Sequence, residues 1–169
     1  QYNGVHYLTS TDSPILVQVD SSLQGCGGLR GKELYYAKFP SFILDMNLHI
    51  MHLELLSVVL AVKLWCKHWQ NAQVNLQCDN VVAVSLLTHG CSRDPFLLKC
   101  AREIWLLQAT YDFSLHVSHE LGCNLGVVDA LSRYYTQPTF KTRVHSLIQD
   151  QGFTPIPVDP YLFHLCNNL

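Results

Sequence analysis

The sequence predicts a single α/β domain in which a mixed, five-stranded sheet is flanked by helices. Short β-branched apolar runs alternate with longer segments whose apolar residues recur at helical spacing. The 169 residues, 49% of them hydrophobic, are enough for one sizeable core and too few for two comfortable domains. The predicted order of elements is β, β, β, α, β, α, α, β, α, and helices covering a mixed sheet are the natural layer arrangement for it.

The first predicted strand covers residues 15–19, an almost continuous apolar run that ends on Asp20 and is typical of a central strand. Residues 25–28 contain three glycines, which permit a tight turn or a close strand approach. Residues 34–39 predict another strand. We expect these two segments to be antiparallel neighbours of the first strand.

Residues 49–69 change to a helical period and form the main predicted helix. Residues 74–78 alternate as a strand that stops at Asp79, and residues 81–88 resume a helical pattern that Gly90 closes.

A third helix begins at Asp94, whose side chain is a preferred N-cap, and we expect it to run to about Thr110. Pro95 suits the first turn of this helix. The last strand is predicted at residues 113–118, and residues 127–133 are compact enough for one or two helical turns.

The domain boundaries follow from the segments without a clear period. We interpret residues 1–13 as a connector from an upstream module, residues 14–135 as the domain, and residues 136–169 as a proline-containing tail or connector with one helix at 141–149. Only 14% of residues are charged, against about 25% in typical domains. We therefore expect part of the surface to be covered, as in a piece of a larger protein.

The expected location is the cytoplasm or the nucleus, and no membrane partner is expected. No apolar run reaches the roughly 18 residues of a membrane span, and the chain shows no signal peptide. Seven cysteines without a C-x-x-C pair indicate reduced thiols, and their spacing gives no support for a structural zinc site.

Four carboxylates stand at unusual places in this pattern. Asp20 and Asp79 each close a buried strand, Glu54 interrupts the apolar stripe of the main helix, and Asp129 lies in the last short helix. Singly, each has an ordinary explanation: Asp20 as a turn residue, Glu54 as an exposed helix residue, Asp79 as an N-cap and Asp129 as a solvated helix acid. Taken together, the four positions favour metal-dependent chemistry and these ordinary explanations equally.

The reason for considering a metal ion is electrostatic. A carboxylate removed from water needs a positive partner, and few lysines or arginines flank Asp20 or Asp79. Mg²⁺, or Mn²⁺, prefers oxygen ligands, and two such ions about 3.5–4 Å apart would clamp a phosphodiester displacement.

Four motifs resemble those of the RNase H domains of retroelement reverse transcriptases. They are D-S-S-L-Q-G-C-G-G at residues 20–28, H-I-M-H-L-E-L-L at 49–56, C-D-N at 78–80, and H-E-L-G-C-N-L-G-V-V-D-A-L-S-R at 119–133. Within that family, residues 92–104 are most similar to DIRS-like and Ngaro-like elements, which integrate with a tyrosine recombinase, and next to gypsy-type elements.

The resemblance implies an RNase H-like fold and hydrolysis of the RNA strand of an RNA/DNA hybrid by two metal ions. It also implies that Asp20, Glu54, Asp79 and Asp129 are the catalytic metal ligands. His119 matches a family histidine near the active site, with a role in proton handling or product release, or only in capping its loop.

Further side chains are candidates for substrate contact. Asn80 and Ser21 adjoin the acidic motifs, although helix capping explains Asn80 equally well. Arg93 and Arg102 are candidates for phosphate contact. Hybrid binding depends mainly on phosphate neutralisation, and the net charge is −2. We expect weak binding by this chain alone and dependence on a reverse-transcriptase module of the same polyprotein. The scattered cations available are Lys63, Lys67, Arg93, Lys99 and Arg102.

The motifs depart from the family at three places. Cys26 replaces a common aromatic residue, Glu120 and Leu121 replace Ile-Pro, and the usual Ala before the final Asp is missing at residue 128. No ligand is lost, but a carboxylate at Glu120 is expected to hinder the approach of a phosphate backbone.

Two alternatives to an active hybrid-specific endonuclease remain open. The first is a catalytically weak or inactive RNase H-like interaction module derived from a retroelement, which the low charge and altered final loop favour. The second keeps the fold but performs DNA strand transfer or exonucleolysis, since related folds support such chemistries. The hybrid-cleavage motifs argue against the second.

Overall fold

The computed structural model describes residues 13–166, which form a six-stranded mixed sheet with helices on both faces. The strands are β1 (Ile15–Ser21), β2 (Gly25–Arg30), β3 (Glu33–Lys38), β4 (Gln73–Cys78), β5 (Ser114–His119) and β6 (Thr154–Pro155). The helices are α1 (Ser41–Leu44), α2 (Ile50–Trp65), α3 (Val81–His89), α4 (Pro95–Tyr111), α5 (Gly126–Ser132) and α6 (Pro138–Gln151), with 3₁₀ turns at Cys66–His68, Gly122–Asn124 and Pro160–Phe163. Apart from Ser13, the expected connector at residues 1–13 lies outside the described residues.

The sheet order is β5-β4-β1-β2-β3-β6. β1 is parallel to β4 and antiparallel to β2, and β4 is parallel to β5. In the register of β1 and β4, Gln18 lies opposite Gln77, and their side chains are hydrogen-bonded at 2.9 Å. Asp20 and Asp79 each follow by two residues. The parallel pairing therefore brings both acids to the same end of the sheet.

The α/β class and the mixed sheet with flanking helices are confirmed, but the predicted number of five strands is wrong. The sixth strand comes from the tail, where the backbone of Ile156 donates to Leu34 and that of Thr154 donates to Lys32, each at 2.8 Å. Two residues, one of them a proline, are too short to show a strand period. β3 pairs with β2 and not with β1, so β1 has only one antiparallel neighbour.

The two faces of the sheet carry separate clusters of buried side chains. On one face, Val17 and Val19 of β1 pack with α2 and α4. On the other face, Leu34 packs with α5 and Val144 of α6. Because side chains alternate along a strand, Asp20 points to the side of α5, in register with Gly27 of β2.

The described part of the expected tail is packed against the domain. α6 buries Val144 and Leu147, and Phe163 is also buried. Lys63 of α2 and Glu103 of α4 form a buried ion pair, with Nζ and Oε1 2.8 Å apart, and the backbone of Cys166 donates to Glu103 at 3.0 Å. The end of the described chain is thus tied to the α2 and α4 layer.

The seven cysteines are all free, four of them buried and three exposed. Within residues 13–166, no helix is both long enough and apolar enough to cross a membrane.

Candidate functional site

One cavity of about 690 Å³ is lined by all four carboxylates that the sequence singles out. Asp20 comes from β1, Glu54 from α2, Asp79 from the residue after β4, and Asp129 from α5. The structure therefore brings together acids that are up to 109 residues apart in the sequence, 129 minus 20.

Close packing of α5 on β2 places Asp129 beside Asp20. A Cβ added to Gly27 would lie only 2.2 Å from Cβ of Leu131, so glycine is required for this approach. The contact sets Ser132 next to β1, where its hydroxyl donates to Oδ2 of Asp20 at 2.7 Å. Gly27 belongs to the motif at residues 20–28 on which the family resemblance rests, and this packing explains why a glycine is needed there.

The first turn of α2, which precedes Glu54, is held from two sides. Nδ2 of Asn80 donates to the carbonyl of Met51 at 3.1 Å, while Oδ1 of Asn80 caps α3. Nε2 of His52 lies 2.7 Å from Oδ2 of Asp94, the N-cap of α4. Asn80 is 4% exposed, and this geometry favours helix capping over substrate contact.

The electrostatics of the cavity disfavour full ionisation of its acids. Burial, followed by the nearby charges of Asp20 and Asp79, raises the pKa of Glu54 to about 7. Burial also raises the pKa of Asp20, which the hydrogen bond from Ser132 partly offsets and the charge of Asp129 reinforces. Like charges and loss of water both penalise the ionised forms, and a cation in the cavity would relieve both penalties.

The rim beside Asp79 is shaped by the segment after β5. Nε2 of His119 lies 3.0 Å from Oδ1 of Asp79, so the histidine predicted near the site contacts one of its acids. A Cβ at Gly122 would lie 2.8 Å from Oδ2 of Asp79. Glycine at this position therefore permits the close approach of the loop to the Asp79 carboxylate.

Arg133 is the charged residue of the site that the sequence reasoning missed. Its side chain lines the cavity, and Nε donates to Oδ1 of Asp129 at 2.6 Å. The pair is partly exposed. The spacing of four residues on a helix, acid to base, is the signal that predicts such a contact.

Of the remaining candidates for substrate contact, the serine lines the cavity and the arginines do not. Ser21 lines the cavity. Arg93, in the loop before α4, and Arg102, on α4, are not among its lining residues. Lys63, one of the scattered cations, is held in the ion pair with Glu103. The cations expected from the sequence to meet phosphate therefore lie away from the acids.

The altered final loop is held together by its own side chains. The carboxylate of Glu120 accepts from Nδ2 of Asn124 at 2.6 Å and from the backbone of Leu121 at 3.2 Å. Glu120 is not among the residues that line the cavity. The carboxylate expected to repel a phosphate backbone is thus held within the loop and does not line the cavity.

The donor set fits a hard divalent cation. Carboxylate oxygens surround the cavity, and magnesium prefers such ligands with water completing its coordination. Within residues 13–166, no three Asp, Glu, His or Cys side chains are already grouped tightly enough to hold an ion as they stand.

Comparison with known proteins provides no assignment. No protein-family model matches the chain, and no curated protein matches it.

Proposed function

We propose that this chain is a metal-dependent endoribonuclease of the RNase H type, which hydrolyses the RNA strand of RNA/DNA hybrids during reverse transcription. The observation that carries the proposal is the convergence of Asp20, Glu54, Asp79 and Asp129 on one cavity. The mixed sheet flanked by helices is compatible with an RNase H-like fold to which the tail adds a sixth strand.

The four carboxylates would hold two Mg²⁺ or Mn²⁺ ions. When bound, such ions supply a nucleophilic water at neutral pH and offset the charge that develops on the phosphate. Ser132 keeps Asp20 oriented through its hydrogen bond, and His119 holds Asp79 from the outer side of the rim. Burial, and after it the charges of neighbouring carboxylates, raises the pKa values of Asp20 and Glu54, and a bound cation would offset both penalties on the ionised forms.

The retroelement assignment rests on the motif resemblance. It makes a reverse-transcriptase module of the same polyprotein the expected partner, in the cytoplasm or nucleus of the cell. The net charge of −2 supports that dependence, since a hybrid is bound mainly through its phosphates.

The test is cleavage of a labelled RNA/DNA hybrid in Mg²⁺ or Mn²⁺ by the whole chain. We expect the RNA strand to be cut and Asp79→Asn to reduce the rate by at least about a hundredfold. Cleavage that Asp79→Asn leaves unchanged would refute the assignment. Cleavage of duplex DNA at the same rate as the hybrid would instead assign the chain to another class of nuclease.

A non-catalytic interaction module derived from the same fold is the second candidate. The observation in its favour is the bond between Arg133 and Asp129, which gives one proposed metal ligand a protein cation instead. Titration calorimetry separates the two. Absence of magnesium and manganese binding, together with a stable partner complex, would support the module and exclude the nuclease.

A further inference from the structure

The chain concentrates positive charge in one segment next to the acidic cavity. Residues 133–149 carry three of the eleven Lys and Arg residues and none of the thirteen Asp and Glu residues. The rest of the chain therefore holds eight cations and thirteen carboxylates. This segment follows α5 directly and includes most of α6.

Packing of α6 against α5 brings these cations to both ends of the helix that carries Asp129. Nζ of Lys141 lies 5.7 Å from the ring centre of Tyr134, just past the end of α5. At the other end, Nη2 of Arg143 is 3.4 Å from the position a Cβ on Gly126 would take. The cations thus stand beside the short helix that forms one wall of the cavity.

The side chains on this surface are available to a ligand. Lys141 and Arg143 are exposed, whereas Val144 of the same helix is buried against α5. Tyr135 is 51% exposed and packs edge-on against Tyr134, with ring centres 4.9 Å apart. By contrast, Lys63 on the opposite layer is 12% exposed and ion-paired.

We propose that Tyr135, Lys141 and Arg143, here called the α6 surface, bind the phosphate backbone of the nucleic acid whose RNA strand enters the cavity. Lysine, arginine and tyrosine are common donors to phosphate oxygens. A cavity of four carboxylates repels a polyanion, so cations beside the neighbouring helix would help to hold the strand. The inference deepens the proposed function and rests on it for the identity of the substrate.

The experiment compares two double variants with equal loss of charge. Lys141→Gln/Arg143→Gln removes the α6 cations, and Lys32→Gln/Lys67→Gln removes two exposed cations that do not line the cavity. Fluorescence anisotropy measures binding of a labelled RNA/DNA hybrid to the whole chain in EDTA, where metal-dependent cleavage is blocked. The salt dependence of the dissociation constant is recorded for each protein.

We expect the α6 variant to bind about tenfold more weakly at low salt, and its slope of log K against log salt to fall by about 1.8, which is two phosphate contacts. The control variant should bind within about twofold of the unmodified chain. Equal affinity and slope in the α6 variant would overturn the inference, and so would an absence of binding by the unmodified chain at low salt.

The single variant Lys141→Gln, at an exposed position, keeps the test valid if the double variant does not fold. It should lower the slope by about 0.9. Failure of the proposed function has a different signature. The hybrid would then be bound through the α6 surface but not cut in Mg²⁺ or Mn²⁺. That result would refute the proposed nuclease activity and still support binding at the α6 surface.

Discussion

Ser132 donates a hydrogen bond of 2.7 Å to Asp20, and this bond joins the last helix of the site to its first strand across 112 residues. The bond exists only because α5 is seated directly on β2, where Gly27 meets Leu131. The position of the Asp20 carboxylate therefore depends on a packing contact made one strand away.

Gly27→Ala should disturb this seating. The added Cβ would meet Leu131 at 2.2 Å and the backbone of Ser132 at 2.9 Å, so α5 must shift. We expect a loss of about 1–3 kcal/mol in the free energy of unfolding by urea denaturation. Gly126→Ala is the matched control, because its Cβ would meet only the end of the Arg143 side chain at 3.4 Å. Equal stability of the two variants would contradict the packing argument.

The stability of the metal-free protein should fall with rising pH because of Glu54. Its folded pKa of about 7 lies above the ordinary value of 4.5, through burial and the charges of Asp20 and Asp79. Its contribution is therefore complete below pH 4.5 and is lost as the pH rises through 7. Since the group is partly exposed, we expect a loss of only about 1–2 kcal/mol between pH 5 and 8.

The variant Glu54→Gln isolates this effect. Chemical denaturation in EDTA at pH 5, 6, 7 and 8 should give a smaller pH-dependent fall for Glu54→Gln than for the unmodified chain. A fall of the same size in both proteins would show that Glu54 is not responsible.

Arg133→Gln removes the protein cation that accompanies Asp129. The pair is partly exposed, so the metal-free protein should lose less than about 1 kcal/mol. Without the competing guanidinium, the magnesium-dependent rise in Tm should become larger. Differential scanning calorimetry with and without Mg²⁺ measures both. A smaller magnesium effect in the variant would instead indicate that Arg133 assists cation binding.

Glu103→Gln tests the contact that ties the tail to the α2 and α4 layer. Burial alone raises the pKa of Glu103, but hydrogen bonds from Lys63 and the backbone of Cys166 hold it below the ordinary value. The variant removes the counter-charge of the largely buried Lys63 ammonium and leaves it only its bond to the carbonyl of His164, at a cost of about 3–5 kcal/mol in urea denaturation. The double variant Lys63→Met/Glu103→Met should lose less than Glu103→Gln alone. A larger loss would contradict this account.

The main elements could be predicted because local pattern determines them: β1 is an apolar run and β4 an alternating one, each leading to an acid, and α2 has a helical period. The sixth strand could not be predicted, since it has only two residues and its partners lie 121 positions away, with Thr154 opposite Glu33 and Pro155 opposite Leu34.

The four acids of the site were predicted, but not their neighbours. Ser132 and Leu131 act through contacts with β1 and β2 that only the folded chain creates. Arg133 carries a local signal, its spacing of four residues from Asp129, which favours an ion pair on one helix face. The α6 surface depends on the packing of α6 against α5, which no local pattern shows.

The central claim is that Asp20, Glu54, Asp79 and Asp129 hold metal ions, and its most direct test is a crystal of the whole chain soaked with Mn²⁺. Anomalous difference density locates manganese without reference to the protein coordinates. We predict two peaks about 3.5–4 Å apart within the acidic cavity, each coordinated by at least one of these carboxylates. A cavity without anomalous density at a saturating Mn²⁺ concentration would contradict the account.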